Sequence, residues 1–181
     1  SETLLTPLEA EALLAGITLD TKDFVMRSGV STFEAAAYLK KIGADTISVK
    51  KLFDTSIESK TKKAEIISSA KIYRSRCAIA VVEEQYPGIR VICSQAADEM
   101  LYIRNVDASF TVYPIENGWS ISARSLGKIN VQVIMESMGN NVDDGGGHQS
   151  MAGAQLYDIS LEEVEEKLHR AIDDYLSDSN K

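Results

Sequence analysis

The stretch SFTVYPIENGWSISARS, residues 109–125, constrains the fold more than any other. Two runs of β-favouring residues flank Asn117-Gly118, a dipeptide suited to the positive φ angles of a type I′ turn, so a β-hairpin is predicted. On its second arm Trp119, Ile121 and Ala123 alternate with Ser120, Ser122 and Arg124, giving one apolar and one polar face. A strand of that kind needs a sheet around it. CAIAVV (77–82) is a continuous apolar run suited to a strand buried on both faces, and AGAQLYDI (152–159) reads as a returning strand.

Helices surround these strands. TPLE, STFE and SLEE each place a hydroxyl (Thr6, Ser31, Ser160) three residues before a glutamate (Glu9, Glu34, Glu163). That is the capping box, in which the two side chains satisfy the free amides of a helix start. Pro7 fits the first helical position, and the first helix is expected to end near Gly16 or Ile17. Gly43 marks the stop of the second helix, and further helices are predicted from Asp45, over about Ile57–Ile72, after Tyr86-Pro87-Gly88, and over NVQVIMESM (130–138). Leu161, Val164, Leu168, Ala171, Ile172 and Tyr175 form one stripe of a closing amphipathic helix, with His169 on its solvated face. The expected fold class is α/β: a helical segment over 1–55, a linking helix over 56–71, and an α/β domain with a mixed sheet over 72–181.

Among the 181 residues 44% are hydrophobic and 25% charged, so an ordinary buried core is expected. No apolar run approaches the roughly 20 residues of a membrane-spanning helix. Cys77 and Cys93 lie in apolar surroundings without paired spacing and read as reduced core residues. The net charge of -8 argues against a partner such as long DNA or RNA, which is met by a basic stripe. The densest basic stretch, SKTKKAE around Lys60, Lys62 and Lys63, reads as a solvated helix face. An anionic ligand would have to be small and held by local donors. The chain opens at Ser1 on a helix-start signal, which suggests a piece of a longer protein.

Three stretches have the residues for such a ligand. In DDGGGHQSMAGA (143–154), Gly145, Gly146 and Gly147 offer amides with no Cβ in the way, and His148 stands at their rim. The same run also reads as a flexible surface loop. Arg124, on a polar strand face beside serines, suits a bidentate grip on a phosphate, with Lys128 and Asn130 as further donors; it also reads as an ordinary surface arginine. Asp20, placed just past the first helix, is either a metal ligand or a turn residue. Asp143 and Asp144 read as exposed loop residues.

AGITLDTKDF (15–24), STFEAAAYLKKIGAD (31–45), SISARSLGKINVQVIME (120–136) and GGGHQSMAGAQ (145–155), in this order, resemble the C-terminal portion of the DHH/DHH-associated phosphoesterases. Within them the chain is most similar to the GdpP-type cyclic-di-AMP phosphodiesterases, with the RecJ-like exonucleases and oligonucleotide-degrading relatives as the alternative branch. The resemblance implies two divalent metals, usually manganese, held mostly by a preceding DHH domain and able to clamp a phosphodiester for in-line attack. It places the family's last metal-binding aspartate on Asp20, its substrate-gripping arginine and serine on Arg124 and Ser125, and its glycine motif on Gly145, Gly146, Gly147 and His148. The substrate implied is a cyclic dinucleotide or short oligonucleotide. The partners implied are the upstream DHH domain and a homodimer mate, at the cytoplasmic face of the membrane in the parent protein. Two departures stand out: the Asp-His-His motif that names the family is absent, and NNVDD (140–144) intervenes before the glycines. One carboxylate cannot hold two cations, so this stretch alone is expected to hydrolyse nothing. A non-catalytic nucleotide-binding module is the reading from a different class.

Overall fold

The computed structural model describes residues 5–138 and 147–178, which divide into two compact units at Ser56/Ile57. The first unit holds α1 (Pro7–Asp20), α2 (Val30–Ile42) and α3 (Thr46–Lys51). They close on a small core of Ala10, Leu14, Ala15, Leu39, Ala44 and Val49. Thr6 and Glu9 form the predicted capping box, the Glu9 amide donating to Thr6 Oγ1 at 3.3 Å and Glu9 Oε2 accepting from the Thr6 amide at 2.8 Å. The expected end of α1 near Gly16 is corrected: the helix runs on to Asp20. Thr18 and Thr21 hydroxyls bond back to the carbonyls of Leu14 and Ile17 along this last turn.

α2 also starts elsewhere than expected. Gly29, extended at φ -104° and ψ 178°, is the N-cap, and its amide donates to Thr32 Oγ1 at 3.2 Å. Ser31 and Glu34 therefore fall inside the helix. Gly43 ends α2 at φ +119°, the left-handed geometry that glycine adopts without steric cost. Asp45 caps α3 by accepting from the amides of Ile47 and Ser48.

The second unit begins with α4 (Ile57–Ser69) and continues β1 (Lys71–Tyr73), β2 (Cys77–Val81), α5 (Ile89–Met100), β3 (Ala108–Ile115), β4 (Gly118–Ser125), α6 (Val131–Glu136), β5 (Gly147–His148), β6 (Met151–Tyr157) and α7 (Leu161–Asp178). The strands form one mixed sheet in the order β1-β2-β3-β4-β6-β5. Among the described residues only β2 and β3 pair in parallel, and α5 is the crossover between them. The alternation in β4 sets the layers. Ile121 and Ala123 join Phe110, Val112, Ala154 and Leu156 in a core closed by Ile134 and Met135 of α6 and by Val164, Leu168 and Ile172 of α7. The opposite face packs under α4 and α5 through Ile66, Ile89, Ile92, Ala96 and Met100. Each large side chain buried this way contributes roughly 1.5–3 kcal/mol.

The hairpin lies where it was predicted, but its turn is shifted by one residue. Ile115 pairs with Gly118, so Glu116 and Asn117 form the loop, and Asn117 alone takes a left-handed φ of 59°. Gly118 belongs to β4, where a Cβ would stand 2.0 Å from the Leu156 carbonyl oxygen. The glycine there is needed for close passage of β6 rather than for the turn.

Two surface expectations also change. His169 stacks on Tyr73 with ring centroids 4.4 Å apart. Lys63 pairs with Glu99 at 2.6 Å and Lys62 lies 5.2 Å above the Tyr86 ring. Cys77 and Cys93 are free and buried; burial pushes their thiols up to about 11 and about 12.

Candidate functional site

The antiparallel register brings the predicted residues together at one end of the sheet. Arg124 of β4 pairs with Met151 of β6, and Met151 pairs in turn with His148 of β5. Residues directly opposite each other on antiparallel strands present their side chains on the same face. Arg124 and His148 therefore share a face with one strand between them, about 10 Å apart at strand spacing. It is the face opposite the Ala123–Ala152 pair, which belongs to the α6–α7 core. His148 is exposed and Met151 is 36% exposed.

The polar face of β4 is not the open surface that its serines suggested. Ser120 and Ser122 are buried at 5% and 6% exposure. Ser122 Oγ lies 3.1 Å from Ser94 Oγ of α5, and Ser120 donates to the Tyr113 hydroxyl at 3.1 Å. On β3, Ser109 donates to the Ala97 carbonyl at 2.6 Å and Thr111 to that of Cys93 at 3.1 Å. Ser122, Ser109 and Thr111 fasten α5 to the sheet, Ser120 joins β4 to β3, and all satisfy groups that would be costly to bury unpaired.

Arg124 emerges where this seam ends. Its side chain is 15% exposed, and its buried Nε lies 3.0 Å from Asp98 Oδ1 of α5, an ion pair without the alignment of a hydrogen bond. Nη1 donates to the Ala123 carbonyl at 2.9 Å. The protein thus holds the guanidinium by two of its three nitrogens. Asp98 went unnoticed in the sequence, although it stands one helical turn after Ser94 on the flank of α5's apolar stripe.

Ser125 is 1% exposed, and its Oγ accepts from the amides of Gly127 at 3.0 Å and Ile129 at 3.4 Å. It shapes the turn after β4. Gln149 Nε2 donates to the Gly127 carbonyl, the Val131 amide to Gln149 O and the Ser125 amide to Ser150 O, so this turn is tied to the β5–β6 hairpin. Neither expected extra donor points to a free role. Lys128 pairs with Asp107 at 3.0 Å, and Asn130 Oδ1 caps α6. Asp107 also takes the Nε and Nη2 of Arg76. Burial pushes its carboxyl up, but the bonds from Lys128 and Arg76 outweigh that and hold it below the usual range.

Of the glycine motif, Gly147 and His148 are described; Gly145 and Gly146 lie outside the described residues, as do Asp143 and Asp144. A Cβ at Gly147 would stand 2.6 Å from the Met151 carbonyl oxygen and 2.7 Å from Ala152 Cα. Only glycine fits that pairing.

Asp20 belongs to the other unit and is treated by itself. It is the last residue of α1, not a residue beyond it. Its side chain is 72% exposed, 3.7 Å from Arg27 Nη1. The three residues Lys22, Asp23 and Phe24 follow in left-handed conformations, with φ of 48°, 55° and 65°. The Thr21 hydroxyl accepts from the Phe24 amide at 3.0 Å and braces the turn. Among the described residues no group of three or more His, Cys, Asp or Glu is placed to hold a metal ion.

Comparison with known proteins places the chain in a family. Residues 75–178 match the DHHA1 domain. The chain is 47% identical over 170 residues to the cyclic-di-AMP phosphodiesterase PdeA of Listeria monocytogenes, covering 93% of this chain and 25% of that protein. It is 46% identical over 172 residues to the cyclic-di-AMP phosphodiesterase GdpP of Geobacillus thermodenitrificans, covering 94% and 25%. The chain thus spans about a quarter of the length of these curated relatives. Among solved structures, an exopolyphosphatase-related protein from Bacteroides fragilis shares the fold, with a TM-score of 0.82 at 21% identity over 94% of this chain and 51% of that one.

Proposed function

The chain belongs to the DHHA1 domain family, and from that premise we propose that it is the substrate-gripping end of a metal-dependent phosphodiesterase that opens cyclic-di-AMP to the linear dinucleotide. The observation that carries this reading is the row Arg124–Met151–His148, which offers a held guanidinium and an exposed imidazole on one face. The names of its relatives at 46–47% identity support the same substrate.

In this reading Arg124 donates to a phosphate oxygen through Nη2, while Nη1 stays on the Ala123 carbonyl and Nε lies beside Asp98. A charge-assisted bond of this kind fixes the orientation of a phosphodiester. His148 donates a further bond from across Met151. Gly147 keeps the β5 backbone close to β6 and so sets the position of His148. Ser125 contributes by shaping the turn that locks the two strand ends together.

The parent protein in this reading carries a DHH domain upstream, two manganese ions and a membrane anchor. Asp20 would supply one carboxylate to that centre, and the metals, when bound, would supply activation of water and charge neutralisation. Among the described residues no helix is long and apolar enough to cross a membrane. The deciding experiment compares cyclic-di-AMP, its linear product and a longer oligonucleotide as substrates of the full-length protein with manganese. Preference for the cyclic dinucleotide is expected; faster attack on the oligonucleotide would move the chain to the exonuclease branch.

A further inference from the structure

The Arg124 guanidinium is paired with a carboxylate before any ligand arrives. Asp98 Oδ1 stands 3.0 Å from Nε, at the mouth of the seam between α5 and β4, with side-chain exposures of 15% for Arg124 and 34% for Asp98. The carboxylate approaches from the helix side and the Ala123 carbonyl takes Nη1 at 2.9 Å. The Nη1 bond fixes the direction of the guanidinium, and the ion pair keeps its Nε side against α5. The pair also offsets much of its charge: a ligand at the guanidinium meets a strong hydrogen-bond donor whose positive field is reduced by the carboxylate beside it.

This offset separates two classes of phosphate. A phosphodiester carries one negative charge, and most of its gain at Nη2 is the directed, charge-assisted hydrogen bond. A phosphomonoester carries close to two near neutral pH. Its second charge is drawn to Arg124 but also repelled by Asp98 close behind, so the extra attraction is reduced. Hydrolysis of a phosphodiester converts the first class into the second.

Resting on the functional reading above, we infer that Asp98 is a positioning residue that both aims Arg124 and biases the site towards the singly charged phosphodiester over the phosphomonoester that its hydrolysis leaves. The pair therefore favours substrate entry and loosens the product. A lone arginine would hold the product more tightly.

The test uses the full-length protein, measuring KM for cyclic-di-AMP and the inhibition constant of the linear dinucleotide carrying a 5′-phosphate. Asp98→Asn keeps an oxygen beside Nε but removes the charge. It should tighten product binding about tenfold, the order expected for unmasking one charge at this range, and change KM less than about threefold. Asp98→Glu restores the charge and should return the ratio of the two constants towards that of the unaltered protein. A purely structural role for Asp98 would move both constants together. An unchanged ratio in an Asp98→Asn protein that keeps its thermal unfolding temperature overturns the inference. Should that variant unfold early, Asp98→Ser must shift the ratio in the same direction, and no shift there overturns it equally. Arg124→Ala separates the two levels: weakening of both ligands by Arg124→Ala with an unmoved ratio in Asp98→Asn sinks this inference alone, whereas no effect of Arg124→Ala sinks the functional reading with it.

Discussion

Gly118 of β4 passes so close to β6 that a methyl group on its Cα would stand 2.0 Å from the carbonyl oxygen of Leu156 and 2.9 Å from Tyr157 Cα. Backbone atoms cannot yield as the end of a flexible side chain can. Gly118→Ala should therefore lower stability by about 2–3 kcal/mol, at the upper end of ordinary point substitutions, read as a fall in the urea midpoint.

A similar constraint at Gly147 has a functional readout. Its Cβ would meet Met151 O and the Cα and Cβ of Ala152, at 2.6, 2.7 and 2.8 Å. Gly147→Ala should splay β5 from β6 and displace His148. The expected result is at least a tenfold rise in KM for cyclic-di-AMP with little loss of global stability, because among the described residues β5 pairs through two residues.

Arg124→Ala removes a charge-assisted phosphate contact worth roughly 1.5–3 kcal/mol. Binding of the cyclic dinucleotide should weaken ten- to more than a hundredfold by calorimetry. Arg124→Lys should recover only part of the loss, since an ammonium cannot hold Asp98, Ala123 and a phosphate in the same planar arrangement.

Asp107 links pH to stability. Arg76 and Lys128 hold its folded carboxyl below the ordinary value of 3.8. A depressed folded pKa contributes stability that is complete above the unfolded value and is lost as pH falls through the folded one. Acid titration below about pH 4 should weaken the protein, and Asp107→Asn should flatten that part of the curve. Because Lys128 is 74% and Arg76 40% exposed, the contribution is about 1 kcal/mol.

Cys77 and Cys93 should resist thiol reagents in the native state. Both are fully buried, and burial pushes the thiols up to about 11 and about 12. A chromogenic disulfide at neutral pH should label neither within minutes, and both in denaturant.

Much of this fold was legible because its signals are local. The capping boxes at Thr6 and Ser160, the apolar stripe of α7, and the alternation along β4 all depend on neighbours within a few residues. Misreadings arose where a distant segment decides. Asn117-Gly118 looked like the centre of a turn, yet Gly118 answers to Leu156, far along the chain. The serines of β4 looked like a ligand face, yet they meet hydroxyls of α5 and β3. Ser31 looked like a cap because nothing in its own tetrapeptide shows that Gly29 and Thr32 already close the helix start. Asp98 escaped notice because its importance lies in the residue it faces, and that pairing exists only once α5 lies on the sheet.

Among the described residues, the two margins of the sheet are finished by very short strands, three residues in β1 and two in β5. A strand that short exposes few unpaired amides and carbonyls to a neighbouring molecule. At the β1 rim the sheet thus offers another chain little to pair with, while the other rim ends beside the Arg124–Met151–His148 row.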